Sequence, residues 1–399
     1  MTAAPSRKVM AALGQARFVG GCVRDAVLGR PVSDIDIATP VAPDRVMERL
    51  AAAGIRVIPT GLAHGTVTAV LGKAHFEITT LRRDITCFGR HAEVAFTDDW
   101  RADAARRDFT FNALSCTADG VLYDPFDGLA DLAAGRVRFI GSAFERIRED
   151  VLRILRFFRF YARYGTPPAD GEALEACGTL APLLPGLSGE RVRAELFRLL
   201  DHERCAEIWA LMTECGVIGA LLPVATGIFR LDALVRLERD HGTGTGRAVI
   251  RLAALLAGAG RAEIEAVTAR LRLSRREREH LLALAAPDFA LGPGDDPAFQ
   301  RRALLRLGDP ELFRDRMLLA AAGDESAPEM LAAAFAVLDQ AADRRFPLTG
   351  TDLLACGISA GPELGRVLAE LRDWWADCGF LPDRAACLSE VARRTALSS

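Results

Sequence analysis

Hydrophobic and polar positions follow two different patterns along the 399-residue chain. In roughly the first 140 residues, short apolar runs rich in Val, Ile, Thr and Phe are bounded by Gly or Pro, which is typical of β-strands. The five clearest runs cover residues 18–21, 34–39, 55–60, 65–72 and 75–81. After residue 141, Leu, Ala and Arg recur at helical spacing to the end of the chain. The pattern therefore predicts an α/β domain followed by an all-α remainder.

Composition narrows the class of protein. Hydrophobic residues make up 50% of the chain and charged residues 26%, and no apolar stretch approaches the length of about 18 residues that a membrane span requires. The N-terminal residues lack the long apolar run of a secretion signal. The nine cysteines are scattered singly without a C-x-x-C pair, which argues against structural zinc and fits a reducing compartment. We therefore expect a globular cytoplasmic protein with no membrane anchor and no stable protein partner.

The first chemically informative segment is GGCVRDAVLGRPVSDIDIATP, residues 20–40. Gly20 and Gly21 end a predicted strand and let the backbone approach a bulky anion. The next helix directs its first amide groups and Arg24 to the same place. A triphosphate would fit there, although a plain tight turn is the better explanation of a Gly-Gly pair taken alone.

An acidic pair in the second predicted strand points to metal chemistry. Asp34 and Asp36 are residues i and i+2 of that strand, so both carboxylates lie on one face, about 6.6 Å apart along it. Two like charges in an apolar strand are costly unless a cation neutralises them, and hard carboxylate oxygens suit Mg²⁺. Bound metal can activate an attacking hydroxyl and stabilise a departing pyrophosphate. A surface strand with acidic positions facing solvent is the alternative, and the Gly-Gly element upstream weakens it.

These motifs resemble the class II tRNA nucleotidyltransferase and poly(A) polymerase family, whose head opens with G-G-x-V-R-D followed by D-x-D. The resemblance covers about the first half of the chain closely, through further motifs in the same order and spacing. They lie at residues 60–70, 76–84, 89–100, 106–114, 124–132, 146–165 and 190–200. The resemblance implies an α+β fold, in which a polymerase-β-like nucleotidyltransferase head, a mixed sheet with helices, is followed by an all-α neck, body and tail.

The resemblance also implies roles for individual residues. Asp34 and Asp36 would be the catalytic residues and magnesium ligands, with Glu77 on a neighbouring strand as a candidate third ligand. The implied nucleotide-binding residues are Gly20, Gly21, Arg24, Arg107, Asp108, Asn112, Asp150, Arg153, Arg156 and Arg159. Within RRDFTFNAL, the arginine and aspartate at 107 and 108 would hold the phosphates and sugar, and Asn112 would brace the loop. If the family resemblance is set aside, the same segment could equally be the start of a helix with a salt-bridged pair of arginines.

Asp150 and Arg153 are expected at positions i and i+3 on one helix face, where an ordinary ion pair is the simplest explanation. In the functional alternative, Asp150 accepts a hydrogen bond from an exocyclic amino group while Arg153 donates to the adjacent ring nitrogen. Cytosine and adenine both offer this pattern, whereas uracil and guanine present the reverse and would leave buried polar groups unpaired. The pair would thus admit C and A. Glu190 and Arg191 match the family's last neck motif, and we count neither among the nucleotide contacts.

Residues 82–100 are polar and contain glycine, so we expect a mobile loop there. In the family this stretch is a flexible loop that helps the site switch from CTP to ATP. Its presence disfavours an enzyme that adds only the two cytidines.

The resemblance implies template-independent addition of CCA to the 3′ end of tRNA, from CTP and ATP, with Mg²⁺ as cofactor and release of pyrophosphate. The head is expected at residues 1–140, the helical neck at 141–240, and the tRNA-binding body and tail at 241–399. A poly(A) polymerase or an A-adding tRNA nucleotidyltransferase with the same head is the alternative. The chain lacks the arginine-rich tail expected of a polyadenylating enzyme. A non-catalytic RNA-binding protein with this fold is disfavoured because the acidic pair, Arg24 and the Asp150/Arg153 pair are intact.

Overall fold

The structure is a computed structural model, and it describes residues 3–32, 34–88, 91–241, 246–324 and 327–397. It contains two compact units, Met1–Leu221 and Leu222–Ser399. The first unit spans the predicted head and most of the predicted neck. The boundary between head and neck near residue 140 stays a prediction.

The first unit is built on a mixed sheet of seven strands. The strands of the unit are β1 (Arg17–Val19), β2 (Ile35–Thr39), β3 (Arg56–Gly61), β4 (Thr66–Leu71), β5 (Ala74–Thr80), β6 (Arg82–Phe88), β7 (His91–Phe96), β8 (Ser115–Cys116) and β9 (Leu122–Tyr123). The order in the large sheet is β3-β4-β5-β2-β1-β8-β9, with β2 and β5 parallel and the other neighbours antiparallel. The five strands predicted from the sequence correspond to β1 to β5, so that prediction is confirmed.

Helices pack on this sheet and form the rest of the unit. They are α1 (Ala4–Leu13), α2 (Gly21–Val27), α3 (Pro43–Ala52), α4 (Trp100–Ala105), α5 (Gly128–Ala133), α6 (Ala143–Glu149), α7 (Arg153–Tyr164), α8 (Gly171–Leu180), α9 (Gly189–Leu200), α10 (Cys205–Glu214) and α11 (Val217–Leu221). Strand β5 alternates as its sequence predicts, with Phe76 and Ile78 buried and Glu77 exposed. The buried side chains join one core with Ile37 of β2 and Leu50 of α3. The opposite face of the sheet is thereby left to carry polar groups.

Aromatic side chains join α7 to the segment before β8. Phe109 and Phe111 contact Phe157 and Phe160 of α7, with ring centroids 5.3 to 6.4 Å apart. All four rings are buried. Because rings of this size bury a large apolar area, the cluster fixes α7 against the segment that carries the R-R-D motif.

The predicted helix through Asp150 and Arg153 is interrupted, so that prediction is wrong. Helix α6 ends at Glu149, and Asp150 has an extended backbone with φ −150° and ψ 103°. Its carboxylate accepts a hydrogen bond from the backbone N–H of Leu152 at 3.3 Å, and α7 begins at Arg153. A short acidic side chain that bonds the backbone two residues later favours a turn over a continuous helix. The two charged residues therefore lie on either side of a turn.

Residues 82–100 contain more regular structure than the expected loop. Strands β6 and β7 pair antiparallel with each other in a separate two-stranded sheet. Gly89 and Arg90 lie outside the described residues, and so do the side chains of residues 84–94. Residues 82–88 and 91–96 are therefore strands rather than the expected loop, and the expected mobility of the segment stays a prediction.

In the described residues of the second unit, all of the regular secondary structure is helical, as predicted. Its helices are α12 (Ile228–Asp240), α13 (Ala248–Leu255), α14 (Arg261–Arg270), α15 (Arg275–Ala285), α16 (Pro297–Leu307), α17 (Pro310–Ala321), α18 (Leu331–Ala341), α19 (Gly350–Ala355), α20 (Pro362–Asp377) and α21 (Arg384–Leu397). Ion pairs join three of them. Arg247, at the N-cap of α13, donates hydrogen bonds to the buried carboxylates of Glu238 on α12 at 2.9 Å and Asp315 on α17 at 2.6 Å. Among the described residues, no helix is both long and apolar enough to span a bilayer.

We predict that Phe157→Ala destabilises the protein by about 3 to 5 kcal/mol, because the side chain is fully buried among other rings and its removal leaves a cavity. Phe229→Ala is the matched control, since Phe229 is 89% exposed, and we expect its effect to stay within about 0.5 kcal/mol. Urea denaturation followed by circular dichroism measures both. Equal effects of the two substitutions would contradict the packing described here.

Candidate active site

The turn from β1 into α2 forms one wall of the candidate site. Gly20 has a φ of 69° and a ψ of −129°, a backbone conformation that residues with a side chain rarely adopt. A Cβ at this position would lie 2.9 Å from Nη1 of Arg107. The turn therefore requires glycine, whereas the neighbouring atom is the end of a flexible arginine side chain that lines the site and could shift.

Arg24 of α2 is held by hydrogen bonds on two sides. Its Nη1 donates to Oδ1 of Asn112 at 2.6 Å, and its Nε donates to Oδ1 of Asp25 at 3.0 Å. The guanidinium stacks 4.5 Å from the centroid of Tyr164, whose hydroxyl donates to Asp25 at 2.8 Å. These contacts leave Arg24 only 6% exposed and fix the orientation of its guanidinium group.

Asn112 extends this chain of hydrogen bonds to Asp108. The Nδ2 of Asn112 donates to Oδ1 of Asp108 at 2.8 Å, and the backbone N–H of Phe109 donates to the same oxygen at 2.9 Å. Arg156 of α7 donates to Oδ2 through Nε at 2.7 Å. Burial alone would raise the pKa of Asp108, but Arg156 and the hydrogen bonds outweigh it and hold the pKa below its usual value. Asp108 is therefore an ionised group whose two oxygens are both bound by the protein.

Three carboxylates lie at the start of β2 and beside it. Asp36 is in β2, Asp34 directly precedes that strand, and Glu77 is the register partner of Asp36 in β5. Burial raises the pKa of Asp36, and the negative charges of Glu77 and Asp34 raise it further, although Arg107 opposes them. A cation at this place would relieve that repulsion.

The chemistry of this donor set fits Mg²⁺. Among the described residues, no three His, Cys, Asp or Glu side chains come close enough together to hold a metal ion unaided. Mg²⁺ in nucleotide-dependent enzymes is commonly bound by one or two carboxylates, and phosphate oxygens and water complete its shell. A pair of aspartates beside a phosphate-binding turn therefore suits this ion.

Asp150 and Arg153 each bind a partner other than the one their spacing predicts. Oδ2 of Asp150 accepts a hydrogen bond from Nη2 of Arg191 at 2.7 Å. Arg153 donates through Nη1 to Oε2 of Glu149 at 2.6 Å and to the carbonyl of Arg146 at 2.7 Å. The expected ion pair between Asp150 and Arg153 is replaced by these contacts, because the turn before α7 separates the two side chains.

These groups surround one cavity of about 590 Å³. The predicted site residues that line it are Gly20, Gly21, Arg24, Asp36, Arg107, Asp108, Asn112, Asp150, Arg153, Arg156 and Arg159. Asp34 and Glu77 are not among the lining residues. Seven arginines and three aspartates line the cavity, so positive charge exceeds negative charge. A wall of this kind suits a polyanion, because guanidinium groups bind phosphate oxygens in pairs.

Helix α9 contributes lining residues that the sequence reasoning left out. Arg191 and Arg198 line the cavity, while Glu195 is only 4% exposed and accepts a hydrogen bond from Nε of Arg159 on α7. Residues 191, 195 and 198 have i, i+4, i+7 spacing, which places them on one helix face. That spacing is visible in the sequence and could have identified a charged face. Only the packing of α9 on α7 shows that the face is directed at the cavity.

Two family models match this chain. Residues 16–138 match the poly A polymerase head domain, and residues 170–228 match the family described as "Probable RNA and SrmB- binding site of polymerase A". The chain is 35% identical to the mitochondrial CCA tRNA nucleotidyltransferase 1 of Danio rerio, over 94% of this chain and 87% of that protein. It is 32% identical to a CCA-adding enzyme of Streptococcus pneumoniae serotype 19F (strain G54), over 91% of this chain and 90% of that enzyme.

Solved structures agree with this similarity. The crystal structure of the Bacillus stearothermophilus CCA-adding enzyme in complex with CTP has a TM-score of 0.74 at 26% identity and covers 99% of both chains. The Thermotoga maritima CCA-adding enzyme complexed with tRNA has a TM-score of 0.72 at 21% identity, over 99% of this chain and 97% of that one, which shows a shared fold. The fold, the order of the motifs and the relatives that match along nearly their whole length show that this chain belongs to the class II family of CCA-adding tRNA nucleotidyltransferases and poly(A) polymerases.

Proposed function

We propose that the protein adds C, C and A in turn to the 3′ end of tRNA, from CTP and ATP, without a nucleic-acid template. Pyrophosphate is released at each addition. The observation that carries the proposal is the arginine-lined cavity, where the turn at Gly20 lies together with Asp36 and Asp150. Relatives that match this chain over most of their length are CCA-adding enzymes.

The cofactor that we propose is Mg²⁺, held by Asp34 and Asp36, with Glu77 as a candidate third ligand. The support is that burial, and after it the negative charges of Glu77 and Asp34, raise the pKa of Asp36, so a cation beside these carboxylates would be favourable. When bound, Mg²⁺ supplies Lewis-acid stabilisation of the phosphoryl oxygens and of the leaving pyrophosphate.

Arg24 and Arg107 bind the triphosphate in this proposal. Both line the cavity, and Asn112 holds both, since its side chain accepts from Arg24 and its carbonyl accepts from Arg107 at 3.4 Å. Donors that are already oriented cost little reorganisation when negative charge develops on the departing phosphates. Asp108 accepts hydrogen bonds from Arg156 and Asn112, which supports a role in positioning these two residues. Its contact with the nucleotide sugar stays a prediction.

Asp150 and Arg153, which line the same cavity, select the base in this proposal. A carboxylate can accept several hydrogen bonds and a guanidinium carries five N–H donors, so each group can bind a base edge while it keeps its protein partner. Asp150 accepts from the exocyclic amino group of cytosine or adenine, and Arg153 donates to the adjacent ring nitrogen. Arg191 and Glu149 hold the two side chains apart, which keeps the acceptor and the donor distinct.

We propose a cytoplasmic location, and the support is the scattered cysteines, since those that the structure describes are free. The relatives include mitochondrial as well as bacterial enzymes. A poly(A) polymerase or an A-adding enzyme is the second candidate, because the same head domain occurs in polymerases of that name.

We predict that the purified protein, given tRNA that lacks CCA, adds two cytidines from CTP alone, nothing from ATP alone, and CCA from both. Electrophoresis of the labelled products at single-nucleotide resolution measures this. Long runs of A from ATP alone would identify a poly(A) polymerase instead.

We predict that Asp36→Asn lowers the incorporation rate more than about a hundredfold, since even residues outside the ligand shell change metal affinity or activity by about 10- to 100-fold. The variant should fold, because it removes one of several crowded negative charges. Asp44→Asn, at an exposed acid in the first turn of α3, is the matched control and should retain activity. Single-turnover incorporation by Asp36→Asn within a few-fold of the wild type would refute the metal assignment.

We predict that Asp150→Ala lowers the preference for CTP over UTP by about 5- to 150-fold, the equivalent of about 1 to 3 kcal/mol for one unsatisfied buried group. Most of this loss of preference should come from a lower kcat/KM for CTP rather than from a higher kcat/KM for UTP. The ratio of kcat/KM for the two nucleotides is the measurement. Glu190→Ala, at an exposed acid on α9 that does not line the cavity, is the control. An unchanged ratio in Asp150→Ala would remove Asp150 from base selection.

A further inference from the structure

Arg198 occupies a position in the cavity wall unlike that of the other six lining arginines. Its side chain is 65% exposed. The side chains of Arg24, Arg107, Arg153, Arg156, Arg159 and Arg191 are between 8% and 30% exposed. Arg198 therefore lies at the mouth of the cavity, where a strand of nucleic acid would enter, rather than in the interior that a single nucleotide would fill.

The carboxylate nearest to Arg198 is shared with other cations. Glu195 accepts a hydrogen bond from Arg159 and lies 3.7 Å from Nη1 of Arg156. Arg198 approaches the same carboxylate at 3.8 Å, which is beyond hydrogen-bond distance. One negative charge thus faces three guanidinium groups. Asp108 offsets only the charge of Arg156.

The remaining arginines of the wall differ from Arg198 because each forms a hydrogen bond with a carboxylate, the longest being that of Arg107 with Asp103 at 3.4 Å. Arg24 binds Asp25 at 3.0 Å and Arg153 binds Glu149 at 2.6 Å. Positive charge is therefore least compensated around Arg198. Burial lowers the pKa of the Arg159 guanidinium, and the nearby positive charges of Arg156 and Arg198 lower it further against the effect of Glu195.

We propose that Arg198 binds a backbone phosphate near the 3′ end of the RNA acceptor as it enters the cavity. The proposal rests on the proposed function, because it takes tRNA as the substrate. A guanidinium group forms paired hydrogen bonds with phosphate oxygens, and a phosphate contact grips RNA without reading its sequence. The shared carboxylate of Glu195 orients Arg198 weakly and leaves its donors available for an anion.

The test compares Arg198→Ala and Arg198→Lys with the wild type and with Arg45→Ala. Arg45 is 73% exposed, lies on α3 and does not line the cavity. Its replacement by alanine therefore changes the net charge of the protein by the same amount as Arg198→Ala and leaves the mouth of the cavity unchanged. Three quantities are measured: the Kd for tRNA lacking CCA by fluorescence anisotropy, the KM for CTP at saturating tRNA, and the kcat. The tRNA titration is repeated from about 50 to about 200 mM salt.

We expect Arg198→Ala to weaken tRNA binding about fivefold to tenfold, as for one charged hydrogen-bonding contact at a partly exposed site. The slope of log K against log salt should fall by about 0.7, the value for one phosphate contact on a single strand. The KM for CTP and the kcat should stay within about twofold, because the contact lies outside the nucleotide subsites. Arg198→Lys should recover part of the affinity, and Arg45→Ala should bind like the wild type.

Three results would overturn the proposal. An increase in the KM for CTP with unchanged tRNA affinity would place Arg198 in the nucleotide site. If neither the KM for CTP nor the Kd for tRNA changed, Arg198 would bind no phosphate of either substrate. An equal loss of tRNA affinity in Arg45→Ala would also overturn it, since general charge would then explain the effect. Failure of the proposed function looks different, because the wild-type protein itself would then fail to extend tRNA from CTP.

Discussion

The geometry of the candidate site depends on one buried ion pair, between Asp108 and Arg156. Asp108 is 7% exposed, and an unpaired charge at that depth would be costly. Arg156 of α7, Asn112 and a backbone N–H supply the compensation, so the carboxylate fastens the R-R-D segment to the helix that follows Asp150. Through Asn112 the same network reaches Arg24. The groups proposed for the triphosphate and for the base are therefore positioned by one connected set of hydrogen bonds.

The excess of arginine in the cavity connects this network to binding. Seven guanidinium groups in one wall repel each other, and the protein offsets only part of that charge with carboxylates. Phosphate oxygens would supply the missing negative charge, those of the triphosphate at the six less exposed arginines and those of the RNA acceptor at Arg198. The charge around Asp36 is the reverse, because several carboxylates lie close together next to the same cavity and favour the binding of a cation. A site with both features suits a metal-dependent reaction on a nucleoside triphosphate better than it suits passive RNA binding.

Much of this site follows from the sequence, and the exceptions have physical causes. The strands β1 to β5, the Gly-Gly turn and the placement of the acidic pair at β2 depend on local patterns, which the sequence displays directly. The break at Asp150 depends on a hydrogen bond from the Leu152 N–H to the Asp150 side chain, which competes with the helix, and helical spacing alone does not reveal it. The contributions of Arg191 and Arg198 depend on how α9 packs against α7. The sequence indicates the hairpin of β6 and β7 only in part, because polar and apolar types alternate over residues 91–94 but not over 94–96.

The most direct test of the account is a crystal structure of the protein with Mn²⁺ in place of Mg²⁺ and a non-hydrolysable CTP analogue. Anomalous scattering would locate the metal, and the electron density would locate the nucleotide. The account predicts Mn²⁺ bound by Asp36 and Asp34, the triphosphate against Arg24 and Arg107, and the amino edge of cytosine facing Asp150. A nucleotide bound outside the arginine-lined cavity, or a metal bound away from both aspartates, would contradict it.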